Sequence, residues 1–273
     1  MKDKDLSEKN LLIRLYFLQD EGLINFNKSG SKLMAFDGTF KEAQERLRQS
    51  LNSLNRRDTI AQFLYAPRII RGVIDYGLKY RSRVLGLKVA LEQVCLSIFG
   101  GNLNVAQDLL DRCVFPKSLL SFRFQEEVDN ISWYSFNPTD NEELIIKLDE
   151  NTLKRPDFVV MDGHDSYRSG FAIANALESN VLCLRNSLDS GRDIKPRPLR
   201  EETQYMNHTL TGKRVLIYGE DASTGTAIKA LRDLVLSASV PTKVETAATI
   251  LISTDEQRKI PINYFGAEKK TFS

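Results

Sequence analysis

Histidine, cysteine and tryptophan are scarce in this chain, whose 273 residues include two, three and one of them. Cys95, Cys113 and Cys183 lie far apart, and with only His164 and His208 to join them they form no common zinc pattern. Such thiols are expected to be buried in a reducing compartment, and the chain reads as cytoplasmic. No apolar run reaches the roughly 18 residues of a membrane span. The polar opening Met1–Asn10 does not look like a secretory leader. Neither G-x-G-x-x-G nor a Walker A loop is present, which removes the dinucleotide fingerprint and the P-loop. An excess of one charge is missing too. The net charge is +2 with 27% charged residues, too even to point to a nucleic-acid or membrane partner. Apolar residues make up 42%, and the length suits one large domain or two ordinary ones, so a packed core can form.

Two textures divide the chain near residue 125. Residues 1–125 read as mostly helical. A broad apolar set, Leu11 to Leu18, predicts a helix that Gly22 stops. A hairpin follows over Leu23–Phe26 and Lys32–Phe36, with its turn at Ser29–Gly30. This helix–strand–turn–strand outline has the look of the end of a winged helix, but its mixed charge argues against DNA binding. Further helices are predicted over Thr39–Asn55, Thr59–Tyr80, Val84–Phe99 and Asn104–Cys113. The apolar helical surface of Asn52–Phe99 is where a protein partner or a second copy of the chain is expected to dock.

Residues 126–273 read as an α/β domain. Strands are predicted over Leu144–Leu148, Phe158–Met161, Val181–Leu184, Val215–Tyr218 and Glu245–Ile252, with helices over Gly170–Leu177 and Thr224–Ser237. Alternation of this kind implies a parallel sheet with right-handed crossovers. The polar segment Asn186–Gly212, with Pro196 and Pro198, breaks the alternation and reads as a long functional loop.

The most informative stretch is Lys213 to Thr226. A buried strand ends in Glu220 and Asp221, and a short loop, Ala222, Ser223, Thr224 and Gly225, opens into a helix at Thr226. Backbone amides and the dipole at a helix start favour a phosphate. Gly225 lets the backbone come close to it, and Ser223, Thr224 and Thr226 offer hydroxyls. Glu220 and Asp221 can hold ribose hydroxyls or a hydrated magnesium ion. The carboxyl edge of a parallel sheet is where such ligands bind.

A hydrophobic strand, an acidic pair, two small residues, Thr224-Gly225-Thr226 and a helix resemble the phosphoribosyl-pyrophosphate (PRPP) motif of type I phosphoribosyltransferases. Pro156–Met161 followed by Asp162–Arg168 is similar to that family's strand and pyrophosphate loop, and Val181–Arg185 is similar to its next strand. Residues 186–212 resemble the hood that closes over the site. The likeness spans about 151–265. It implies a PRPP–magnesium site and glycosyl transfer of the 5-phosphoribosyl group to a nitrogenous base or related acceptor. Asp162, Gly163, His164, Asp165, Arg168, Arg185 and Lys195 would then face the pyrophosphate. One departure is plain: with Thr224-Gly225-Thr226 aligned, the two acidic positions fall on Gly219 and Glu220, and Asp221 sits one place late. This bears on turnover more than on binding. It favours an alternative, a PRPP- or nucleotide-sensing regulator or effector subunit of a multi-protein system such as a defence or toxin system. Tyr264 and Phe265 read either as a packed C-terminal strand or as an aromatic platform for a base.

Overall fold

The computed structural model describes residues 36–52, 55–126, 138–151, 155–162, 166–185, 196–222, 225–252 and 259–268. The chain divides into two compact units, Met1–Trp133 and Tyr134–Ser273.

The first unit is helical around a small ribbon. Strand β1 (Phe36–Thr39) pairs antiparallel with β2 (Arg123–Glu126), Phe36 opposite Glu126. Between them run α1 (Phe40–Leu51), α2 (Arg56–Tyr80), α3 (Leu85–Phe99), α4 (Leu103–Arg112) and the short α5 (Lys117–Leu120). Helix α1 starts where a capping box forms. The Glu42 N–H donates to Thr39 Oγ1 at 3.2 Å, and the Thr39 N–H donates to Glu42 Oε2 at 2.6 Å. Asn55 caps α2 by accepting from the Asp58 N–H. A buried ion pair, Lys88 with Glu92 at 3.1 Å, sits one turn apart on α3. The predicted helix and hairpin over Leu11–Phe36 lie outside the described residues, apart from Phe36, which opens β1.

The second unit is an α/β layer structure. It contains α6 (Pro138–Asn151), β3 (Phe158–Asp162), α7 (Tyr167–Ala176), β4 (Asn180–Leu184), α8 (Glu202–Leu210), β5 (Arg214–Ala222), α9 (Thr226–Ala238), β6 (Lys243–Leu251) and β7 (Tyr264–Glu268). Its sheet has the order β4-β3-β5-β6-β7, and all its pairs are parallel. The four strands expected after residue 155 are present, and β7 adds a fifth at the edge. One face of the sheet packs Val160, Leu182, Leu184, Ile217 and Ala248 against Met206 and Leu210 of α8 and Ile228, Leu231 and Val235 of α9. Helix α7 lies close against β3. A Cβ added to Gly170 would come within 2.6 Å of Met161 Sδ, so only glycine fits there without repacking.

Two sequence expectations need correction. Leu144–Leu148 is part of helix α6, not a strand. Asn141, Leu144 and Leu148 are buried at helical spacing while Ile146 is half exposed, so the apolar run follows a 3.6-residue period. The segment Asn186–Gly212 is not one long loop, because Glu202–Leu210 forms α8. Glu202, Met206 and Leu210 recur every four residues and are buried, and the Leu199 N–H donates to Glu202 Oε2 at 2.8 Å near the helix start. Three apolar residues, Tyr205, Met206 and Leu210, among polar ones and preceded by Pro196 and Pro198 give too weak a periodic signal to read as a helix. No helix among the described residues is long and apolar enough to cross a membrane.

Candidate functional site

The connections single out one edge of the sheet. From β3 the chain crosses to β4 on one side, then returns through α8 to β5 on the other side of β3. In open parallel sheets, the carboxyl edge at the point where strand order reverses is the usual place for a ligand. Strand β3 ends there with Asp162, opposite Leu184, the last residue of β4. Pairing between β3 and β5 stops at Met161 and Tyr218, but β5 continues along β6 to Ala222 opposite Leu251. Glu220 and Asp221 thus lie on a strand end that projects past its β3 neighbour.

Both flanking helices begin at this edge, because each follows a strand that ends there. Gly225 is the N-cap of α9, with φ 65° and ψ 13°, a left-handed conformation in which a side chain is strained. A Cβ there would also meet Ile260 Cγ2 at 2.9 Å. The Gly225 carbonyl accepts the first helical bond, from the Lys229 N–H at 2.8 Å. Thr226 is the first residue of α9, and Ala222, the last of β5, is buried.

Ser166 and Ser169 at the start of α7 reach across to β5. The Ser166 Oγ accepts from the Glu220 N–H at 3.0 Å, and the Ser169 hydroxyl donates to Glu220 Oε1 at 2.6 Å. Glu220 is only 3% exposed. Its carboxylate is one of the two that the sequence offers to ribose hydroxyls and to magnesium, and in the structure Ser169 holds it on the α7 side of the sheet. Tyr218, two residues earlier, shares that side. Its hydroxyl is 2.6 Å from Thr249 Oγ1, and the Thr249 hydroxyl donates to Asn141 of α6 at 2.9 Å.

Two cationic candidates sit at the same edge. Arg168 lies in the first turn of α7 and Arg185 directly follows β4, and both are buried. The Arg185 carbonyl accepts from the Arg197 N–H at 2.7 Å, drawing together the chain on either side of residues 186–196. Asp162 is half buried at the end of β3. Gly163, His164, Asp165, Lys195, Ser223 and Thr224 lie outside the described residues, and Asp221 is described only by its backbone, opposite Ile250.

At the sheet edge, Tyr264 of β7 donates its hydroxyl to Glu245 Oε1 at 2.8 Å. Burial, then the bond to Glu245, push its phenol up to about 12. Lys147 of α6 donates to the Phe265 and Gly266 carbonyls and lies 5.1 Å from the Phe265 ring. Both aromatic residues are therefore engaged in strand packing.

No three histidine, cysteine or acidic side chains gather into a metal-holding group among the described residues. Magnesium needs hard oxygen donors and is commonly held by one or two carboxylates completed by substrate phosphates and water. Adjacent strand residues alternate faces, so a regular strand does not present two consecutive carboxylates to one ion. With Glu220 held by Ser169, magnesium fits here only as the companion of a phosphate ligand, with no more than one of the two carboxylates beside it. The sequence reading missed Ser166 and Ser169. Their partner is more than fifty residues away, and a serine after an arginine carries no local signal.

No family model matches the chain, and no curated protein matches it. Among solved structures it is similar to a purine phosphoribosyltransferase from Pyrococcus horikoshii Ot3, at 16% identity, covering 50% of this chain and 83% of that one with TM-score 0.39. A hypoxanthine-guanine phosphoribosyltransferase from Bacillus anthracis is also 16% identical, covering 48% of this chain and 76% of its own, with TM-score 0.37. A hypoxanthine phosphoribosyltransferase from Trypanosoma cruzi is 16% identical, covering 49% and 67%, with TM-score 0.35. These likenesses reach half of the chain and transfer no residue roles to it.

Proposed function

We propose that the C-terminal unit binds PRPP or a phosphoribosyl nucleotide at the carboxyl edge between β3 and β5. One observation carries the reading: the projecting acidic end of β5 runs into the Gly225-capped start of α9 at the point where strand order reverses. The 5-phosphate would lie at the α9 start against Gly225 and Thr226, with Ala222, Ser223 and Thr224 completing the loop. Asp221 would take the ribose hydroxyls, with Glu220 behind it. Asp162, Gly163, His164, Asp165 and Arg168 would flank the pyrophosphate, and Arg185 and Lys195 would supply positive charge to it. Magnesium, when it accompanies the ligand, would neutralise phosphate charge, with Asp221 as the protein carboxylate nearest the diol. We place this activity in the cytoplasm, where free thiols such as Cys95 and Cys183 persist.

The reaction such a ligand supports is transfer of the 5-phosphoribosyl group to a nitrogen nucleophile with release of pyrophosphate. Catalysis there would come from positioning and from cations meeting the leaving group. A second reading, a sensor that binds PRPP without turning it over, is favoured by a specific pair of observations. Gly219 stands at the first acidic position, and the Glu220 carboxylate is held by Ser169. Incubating PRPP and magnesium with common purine and pyrimidine bases and measuring pyrophosphate separates the two. Release identifies a transferase, and binding without release identifies the sensor.

A further inference from the structure

We infer that Glu220 is a positioning residue which, with Ser166 and Ser169, latches the start of α7 to the end of β5; its consequence for binding rests on the ligand site proposed above. The latch is built from two bonds of opposite sense. Ser166 accepts from the Glu220 backbone at 3.0 Å, and Ser169 donates to the Glu220 carboxylate at 2.6 Å. The second distance falls in the range of a hydroxyl donating to a carboxylate, the stronger kind of hydrogen bond. All three residues are buried, so water does not compete for these groups.

Two features set the arrangement apart from ordinary packing. An N-cap serine normally accepts from an amide in the first turn of its own helix. Ser166 is the N-cap of α7 and makes no such bond; its oxygen serves β5 instead. The reason lies in the sheet. The β3–β5 ladder ends at Met161 and Tyr218, so the amide of Glu220 lies past the last β3 partner, and Ser166 takes it up where the ladder stops. Residues 163–165 are thereby bracketed by Asp162 in the sheet and by latched Ser166. Residues 223–224 begin three places after Glu220. One carboxylate and one amide thus hold the start of α7 to the end of β5, and a binding site needs its residues locked by such supporting bonds.

Hydrogen exchange on the full, unliganded chain tests the latch with Ser169→Ala, and with Ser166→Ala as a second variant. The expected result is exchange about tenfold faster at the amides of residues 166–170 and 219–222. Exchange in β6 and in the later turns of α9 stays unchanged. Titration of PRPP with magnesium should show affinity weakened about tenfold in both variants. Unchanged local exchange in both variants overturns the latch, as does faster exchange spread over the whole sheet. Wild type that takes up no PRPP removes the proposed ligand alone, because the exchange data still decide the latch.

Discussion

Gly225 is the residue whose role is easiest to isolate, because backbone and packing both require it. Its φ of 65° and the 2.9 Å approach of a Cβ to Ile260 Cγ2 predict that Gly225→Ala destabilises the second unit by about 2 kcal/mol, read from the denaturant midpoint. Tyr264 offers a pH test. A phenol held up at about 12 in the fold, against about 10 when unfolded, contributes stability that is complete below pH 10 and is lost as pH rises through 12. One tyrosine should therefore ionise late in a phenolate absorbance titration, and Tyr264→Phe should remove that step. Asp157 works in the opposite sense. Arg214 accompanies it with a side-chain ion pair at 3.2 Å and a backbone N–H at 2.8 Å, and these bonds hold its carboxyl below the usual range. Its contribution is present above the unfolded carboxylate value of about 3.9 and is lost as pH falls through the lower folded value. Asp157→Asn should cost about 1 kcal/mol at neutral pH and flatten the acid limb of the stability curve. At this scale the sequence exposes residues with a backbone signature, such as Gly225 before a helix. It conceals Ser166 and Ser169, whose meaning depends on a strand end more than fifty residues away.

Elements were legible where several signals agreed. Helix α1 announces itself by Thr39, Glu42 and the apolar stripe behind them, and β3, β4, β5 and β6 by short apolar runs between turn residues. Helices α6 and α8 were not. In α6 three consecutive apolar residues, Leu144 to Ile146, imitate a strand, and only burial reveals that Leu144 and Leu148 face the core while Ile146 does not. In α8 the buried stripe is Glu202, Met206 and Leu210, and its first member is charged, so no apolar period is visible. If α8 closes the sheet as described, Met206→Ala removes a fully buried side chain from the face shared with Ile217 and Leu231. It should then cost about 2–4 kcal/mol in equilibrium unfolding. A surface loop at this position would show a change below about 0.5 kcal/mol.

At the scale of the whole molecule, alternating strands and helices after residue 155 declared a parallel sheet, but not the order of its strands. Hydrophobic runs specify that a strand is buried and leave open which neighbour it takes. The order β4-β3-β5-β6-β7 emerges only from pairing, and with it the reversal between β3 and β5 that gives the acidic end of β5 its place. The same limit bears on β7, whose Tyr264 and Phe265 read from sequence as a packed strand with a base platform as the alternative, and which Glu245 and Lys147 hold in the strand. The decisive experiment is calorimetric titration of PRPP with magnesium into the intact protein and into Asp221→Ala. One-site binding to wild type, weakened at least about tenfold by the substitution with the melting temperature unchanged, is the predicted result. Wild type that shows no heat of binding, or binding indifferent to the loss of Asp221, would contradict a PRPP site at the end of β5.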